Sequence, residues 1–205
     1  MDDDPSIRAS LENLLASEGH ATRSFESSQA FLSASRPDLP GCLVLDVRLR
    51  GSSGLEFQRE LSRRDVRIPI VFITGHGDVP MSVAAMKAGA IEFLLKPYRD
   101  QDLLDAVHKG IELDKRRRVQ AAGLAELRAR VAAMTPRERE LLPLIASGML
   151  NKQIAARLQL SEVTVKAHRA QVMQKLQVYS LAELVRVADR LAADPQADRP
   201  VDTFG

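Results

Sequence analysis

Three apolar runs in this chain stop on residues that can do chemistry. Cys42 to Leu45 ends on the carboxylate of Asp46, and Ile70 to Ile73 ends on the hydroxyl of Thr74. Ile91 to Leu95 ends on the amine of Lys96, with Pro97 behind it. If each run is a strand of an open α/β sheet, the three ends share the edge where such sheets bind ligands. The chain also opens on Asp2-Asp3-Asp4, which can add carboxylates to that edge. Oxygen ligands suit a hard divalent cation. An amine and a hydroxyl suit phosphoryl oxygens. Taken singly, each residue is ordinary: a loop acid, a helix cap, a surface lysine, a charged terminus. Their shared register with three strand ends points to one site.

The elements around these runs read as alternating strands and helices. Asp4-Pro5 is an N-cap and first helical residue. Ile7, Leu11, Leu14 and Leu15 then give one apolar helical face, which Gly19 ends. A short strand is expected over Ala21 to Phe25, and Ser27 caps a helix reaching Ser35. A helix follows the Asp46 strand from about Gly54 to Arg64. The Thr74 strand leads through Gly75-His76-Gly77 into a helix with Val83, Met86 and Lys87, closed by Gly89. Alternating βα units of this length imply a parallel sheet covered on both faces.

From about Asp100 the pattern is helical throughout. Leu103, Val107 and Ile111 continue one stripe, and Leu124, Leu127 and Val131 form another at coiled-coil-like spacing. The second stripe reads equally as a solvated spacer and as a dimer seam. Thr135-Pro136-Arg137-Glu138 is a capping box that opens a new domain. Pro143 inside that helix removes a backbone bond, so a local irregularity is expected. Gly148 ends the helix, Lys152 to Leu158 forms a second, and Ser161 caps a third that carries Thr164, Lys166, His168 and Arg169. A fourth runs from about Leu181 to Ala193. The domains expected are 1–112, a helical linker over 113–134, a helical domain over 135–193 and a disordered tail over 194–205.

Composition sets bounds. The 205 residues are 45% apolar, as in a globular protein. No run approaches the roughly 18 apolar residues of a membrane span, and no signal peptide opens the chain, so the cytoplasm is the expected compartment. The one cysteine, Cys42, excludes an internal disulfide and reads as a small buried hydrophobe. Net charge is +2, but acids cluster at the start and bases at Lys115-Arg116-Arg117-Arg118 and between Lys152 and Lys175. That asymmetry suggests a cation-handling first part and a nucleic-acid-facing second part.

The run Ile73-Thr74-Gly75-His76-Gly77-Asp78-Val79-Pro80-Met81, with Met86-Lys87-Ala88-Gly89-Ala90 and Lys96-Pro97, resembles the FixJ branch of two-component response regulators. Asn151-Lys152-Gln153-Ile154-Ala155 and Thr164-Val165-Lys166-Ala167-His168-Arg169 resemble LuxR-type helix-turn-helix domains. The resemblance covers residues 1 to about 190. It implies a flavodoxin-like α/β receiver followed by an all-α DNA-binding domain. By resemblance, Asp46 is the phosphoacceptor, served by Thr74 and Lys96. Asp2, Asp3, Asp46 and the backbone carbonyl of Arg48 hold Mg²⁺. Thr74 and Phe93 are the switch pair, and the Lys96–Pro97 bond is cis. Lys166 and Ala167 lie nearest the bases of double-stranded DNA, with Lys152, Thr164, Arg169 and Lys175 on phosphates. His168 either joins them or packs against its own domain. The implied partners are a sensor histidine kinase, DNA, RNA polymerase and, on phosphorylation, a second copy of the chain. Regulation is expected to be activation, and the fourth helix is expected to form the dimer contact on DNA.

In receivers of this kind a buried strand precedes the acidic pair, and here nothing precedes Met1. Its absence is expected to loosen the receiver and the aim of Asp2 and Asp3. A start lying upstream is favoured over a natural variant. The rival readings are a constitutive DNA-binding regulator with an inert receiver and a phosphoryl sink. No second catalytic constellation or cofactor fingerprint suggests an enzyme.

Overall fold

The computed structural model describes residues 1–35, 37–49 and 51–193. The tail expected from residue 194 lies outside the described residues. Two compact units divide the chain after Arg118.

In the first unit, the Asp4 carboxylate accepts from the N–H groups of Ser6 and Ile7 and starts α1 (Pro5–Ser17). Ser27 caps α2 (Ser28–Ser33). Then follow β1 (Leu43–Asp46), β2 (Arg48–Leu49), β3 (Ser52–Ser53), α3 (Gly54–Arg63), β4 (Ile70–Thr74), α4 (Val79–Lys87), β5 (Glu92–Leu95) and α5 (Asp100–Ala132). β1, β4 and β5 form a parallel sheet in that order, and β2 and β3 pair as a separate small ribbon. Successive side chains of a strand face opposite sides. Leu45 and Phe72 therefore pack with Phe31, Phe57 and Leu61, while Val44, Val71 and Ile73 pack with Leu11, Leu103 and Val107. With both faces covered, the strands read as unbroken apolar runs. Burial pushes the Cys42 thiol up to about 12, as befits a packed, unreactive sulfur.

The register aligns the chemistry. Asp46 lies opposite Ile73, and Thr74 lies opposite Leu95. The Lys96 N–H donates to the Thr74 carbonyl at 2.8 Å, carrying the ladder one residue further. On the other side of β1, the Asp46 N–H donates to the Met1 carbonyl at 2.9 Å, and the Met1 nitrogen donates to the Val44 carbonyl at 2.6 Å. Met1 thus pairs as a strand residue would, and it delivers Asp2 beside Asp46.

Ala21 to Phe25 does not form the expected strand. In a flavodoxin-like sheet this segment would pair with a strand lying next to β1. Among the described residues only Met1 occupies that place, so the segment meets no ladder. Side chains anchor it instead. Phe25 sits edge-on to Phe31 with ring centroids 5.1 Å apart, Ser24 bonds Glu12, and Arg23 lies over the Phe25 ring.

Two contacts tie the helices to the sheet ends. The Gln58 amide, 3% exposed, donates from Nε2 to the carbonyls of Ala85 at 3.3 Å and Ala88 at 3.1 Å, fastening the end of α4 to α3. Gly54 begins α3 against the backbone of β1. A Cβ there would stand 2.4 Å from the Asp46 carbonyl oxygen and 3.1 Å from Val47 Cα.

The second unit comprises the end of α5, then α6 (Pro136–Ala146), α7 (Asn151–Leu158), α8 (Glu162–Leu176) and α9 (Leu181–Ala192). Thr135 and Glu138 form the expected capping box. The Gln153 side chain accepts from the Leu150 N–H at 2.8 Å, and Ser161 and Ser180 cap α8 and α9. α6 runs on through Pro143. Leu141, Ile145, Ile154, Val165, Val172, Leu176 and Leu184 form the core. Val131 of the linker stripe packs against it, and Leu127 is buried. Among the described residues, no helix is long and apolar enough to cross a membrane.

Replacing Gly54 by Ala forces β1 and α3 apart at Asp46 and should lower stability by about 1–3 kcal/mol. Denaturant unfolding of the variant beside the parent protein measures it.

Candidate functional site

The sheet edge brings Asp2, Asp46 and Lys96 together. Lys96 Nζ donates to Asp46 Oδ2 at 2.8 Å and to Asp2 Oδ2 at 2.9 Å. Asp2 is 1% exposed and Asp46 7%, while the Lys96 side chain keeps 20% of its surface. The other oxygens are also engaged. Asp46 Oδ1 accepts from the Arg48 N–H at 2.9 Å, and Asp2 Oδ1 accepts from the Asp4 N–H at 2.9 Å. Each carboxylate thus faces the shared ammonium with one oxygen and a backbone donor with the other.

Burial and pairing compete at these groups, with different outcomes. At Asp46 burial wins over the Lys96 hydrogen bond and holds the carboxyl above its ordinary range. At Asp2 burial is outweighed by hydrogen bonds from Lys96 and the Asp4 N–H, and the group lies below that range. Lys96 is raised, because its bonds to Asp46 and Asp2 overcome the cost of burial. The two acids share one cation, so their titration belongs to the pair.

The remaining expected residues of this edge have separate settings. Thr74 is fully buried, and its hydroxyl accepts from the His76 N–H at 3.2 Å. Phe93 is half-buried on β5, 6.1 Å from the Phe72 ring centroid. Gly77 lies close by, where a Cβ would meet Phe93 Cε1 at 2.8 Å. Asp3 is half-buried and engaged in further interactions. Arg48 contributes its N–H to Asp46 and directs its side chain outward.

Among the described residues, no three His, Cys, Asp or Glu side chains gather as a metal-ligand set. The donor chemistry nevertheless fits a cation. Asp2 and Asp46 already hold one between them, the Lys96 ammonium. Magnesium takes a few carboxylate or carbonyl oxygens and keeps waters for the rest.

Arg8 was not expected at this site. Its Nη1 donates to the Asp2 carbonyl at 2.8 Å, fixing the backbone of the acidic turn from α1. Its place one turn after the Asp4 cap was the available signal.

A second set lies on α7 and α8. Lys152, Lys166 and Ala167 are exposed, and His168 and Arg169 are half-buried. Arg169 Nη1 donates to Asn151 Oδ1 at 3.3 Å, joining the two motifs. Thr164 Oγ1 lies 2.8 Å from Ser161 Oγ. Lys175 is drawn inward instead. Its Nζ donates to Glu138 Oε2 at 2.6 Å and to the Ala133 carbonyl at 3.3 Å. Lys175 and then the Thr135 N–H hold the Glu138 carboxyl below its usual range.

Residues 1–108 match the response regulator receiver domain, and residues 132–188 match the luxR family of bacterial regulatory proteins. The chain is 49% identical to Nodulation protein W of Bradyrhizobium diazoefficiens over 191 residues, covering 93% of this chain and 84% of that one. It is 41% identical to the transcriptional regulatory protein FixJ of Azorhizobium caulinodans over 198 residues, covering 97% and 94%. The structure of the response regulator StyR aligns with a TM-score of 0.82 at 49% identity, over 93% of this chain and 96% of that one. The chain belongs to the two-component response regulators, with a flavodoxin-like receiver followed by a LuxR-type DNA-binding domain that serves transcription regulation.

Proposed function

We propose that Asp46 accepts a phosphoryl group from a sensor histidine kinase, and that this controls dimerisation and sequence-specific binding to double-stranded DNA. The observation that carries the reading is the Lys96 ammonium, 2.8 and 2.9 Å from two buried carboxylates at one sheet edge. One carboxylate then serves as nucleophile, and the ammonium is placed to receive a phosphoryl oxygen. The receiver comprises 1–112, the helical linker 113–134 and the DNA-binding domain 135–193. The protein works in the cytoplasm as an activator and engages RNA polymerase.

In the transfer, an Asp46 oxygen bonds to phosphorus while the phosphorus–nitrogen bond to the kinase histidine breaks. The imidazole leaves with the electron pair and takes a proton from water. Lys96 moves its hydrogen bond from Asp46 to a phosphoryl oxygen while keeping Asp2. Asp2, Asp3, Asp46 and the Arg48 carbonyl would hold Mg²⁺, which supplies charge neutralisation for the transferring group. The Thr74 hydroxyl can donate to another phosphoryl oxygen, since a hydroxyl that accepts from His76 still has its proton to give. Phe93 follows Thr74 inward, and the face of α4 and β5 is remodelled. On the output side, Lys166 and Ala167 approach the bases, and Lys152, Thr164, His168 and Arg169 serve phosphates. Lys175, bound to Glu138, holds α8 against α6.

Incubation with acetyl phosphate and Mg²⁺ should add one phosphoryl group to the intact mass, and Asp46→Asn should add none. An unmodified parent protein would reject Asp46 as acceptor. The nucleophile is the ionised carboxylate, so labelling should fall as pH drops through the raised pKa of Asp46. Lys96→Gln removes the bond that opposes burial, so the acidic limb of the initial-rate profile should move toward neutral pH. Against a duplex selected from a random pool, the phosphodonor should tighten binding. Lys166→Ala should weaken it roughly ten- to a hundredfold in a gel-shift titration. Equal affinity with and without donor would leave a constitutive regulator.

A further inference from the structure

His20 and His108 come from distant parts of the first unit and meet ring to ring. Their centroids stand 4.9 Å apart, with the planes tilted by 58°. The backbone fixes both residues. Gly19, at φ +79°, turns the chain at the end of α1, and the His20 N–H donates to the Leu15 carbonyl at 3.0 Å. His108 rides on α5 beside Ala106 and Val107, which are buried in the core with Val71 and Ile73 of the sheet. His20 is half-buried, and its Nε2 is closed to solvent without a hydrogen-bond partner among the described residues. His108 is exposed. The separation alone also suits two rings that merely touch. The orphaned nitrogen is what a plain ring contact leaves unexplained, because a buried polar atom ordinarily has a partner.

Neutral imidazole is a ready ligand for late first-row divalent ions. Two imidazoles bound to one such ion at about 2.0–2.1 Å place their ring centroids about 5 Å apart. We propose that His20 and His108 form a binding site for a late first-row divalent cation, of which Zn²⁺ is the representative. Waters fill the remaining positions, since among the described residues no third His, Cys, Asp or Glu joins the pair. Asp105 and Glu112, three residues before and four after His108, share its side of α5 and offset part of the charge of the ion. The exposed ring of His108 can swing to admit the ion. α1 carries His20 roughly 20 Å from Asp4. The site is therefore separate from the acidic edge, whose oxygens suit magnesium. A bound ion staples the end of α1 to α5, and a ligand held only by the folded state stabilises that state. The inference does not depend on phosphoryl transfer to Asp46.

The test titrates the full chain with Zn²⁺ by calorimetry, with Mg²⁺ in excess to occupy oxygen-rich sites. The parent should bind one Zn²⁺ per chain at micromolar concentrations. His108→Gln and His20→Gln should each weaken binding by about tenfold or more, at least the loss seen when a ligand only loses its supporting partner. His108 is exposed, so His108→Gln keeps the fold and decides the matter even if His20→Gln does not fold. In a parallel melt, Zn²⁺ should raise the unfolding midpoint of the parent and leave that of His108→Gln where it was. Of the four imidazoles in a proton–nitrogen correlation spectrum, Zn²⁺ should shift the two that the variants remove. No binding at millimolar Zn²⁺ would overturn the inference. Binding of equal strength in the parent and in His108→Gln would overturn it too, by placing the ion elsewhere.

Discussion

A single ammonium between two buried carboxylates organises the first unit. Removing either charge type would leave the other buried and uncompensated, a costly state. The parallel ladder sets this trio in place, because the residue after β5 continues its bonding to Thr74 while Met1 bonds across β1. Backbone N–H groups of Asp4 and Arg48 hold the remaining carboxylate oxygens. The site is thus built from backbone register first and side-chain choice second. The proposed exchange of the ammonium between an acid and a phosphoryl oxygen would act on a trio whose backbone bonds are already in place.

The second unit uses the same economy of charge for a different end. Lys175 and Glu138 join α8 to the capping box of α6, across 37 residues of sequence. That leaves Lys166 and Lys152 as outward bases and gives α8 a fixed base of support. The proposed aim of α8 at base edges would draw on such support, since a displacement on the order of 1 Å already degrades a positioned site.

Much of this was legible in the residues. The strand ends at Asp46, Thr74 and Lys96 were visible because apolar runs of parallel strands stop abruptly. The caps at Asp4, Ser27, Thr135 and Ser161 follow from local hydrogen-bond chemistry. Ala21 to Phe25 misled because strand propensity is local, whereas a strand exists only with a partner to bond. Lys175 gave no sign of its partner, since a long-range ion pair leaves no trace in spacing. Arg8 was overlooked because its contact is to a carbonyl, which no side-chain pattern encodes. The inward lysine and the outward one, Lys166, look alike until the fold separates them.

The amide of Gln58 has a mechanical meaning. It grips two carbonyls at the end of α4 from a site almost closed to water. A slide of α4 would stretch both bonds, and a buried amide donor left without an acceptor is worse off than a bonded one. The donor side of one buried side chain thus couples the last turn of α4 to α3. Any displacement of α4 at the sheet edge must therefore carry α3 with it or break these two bonds.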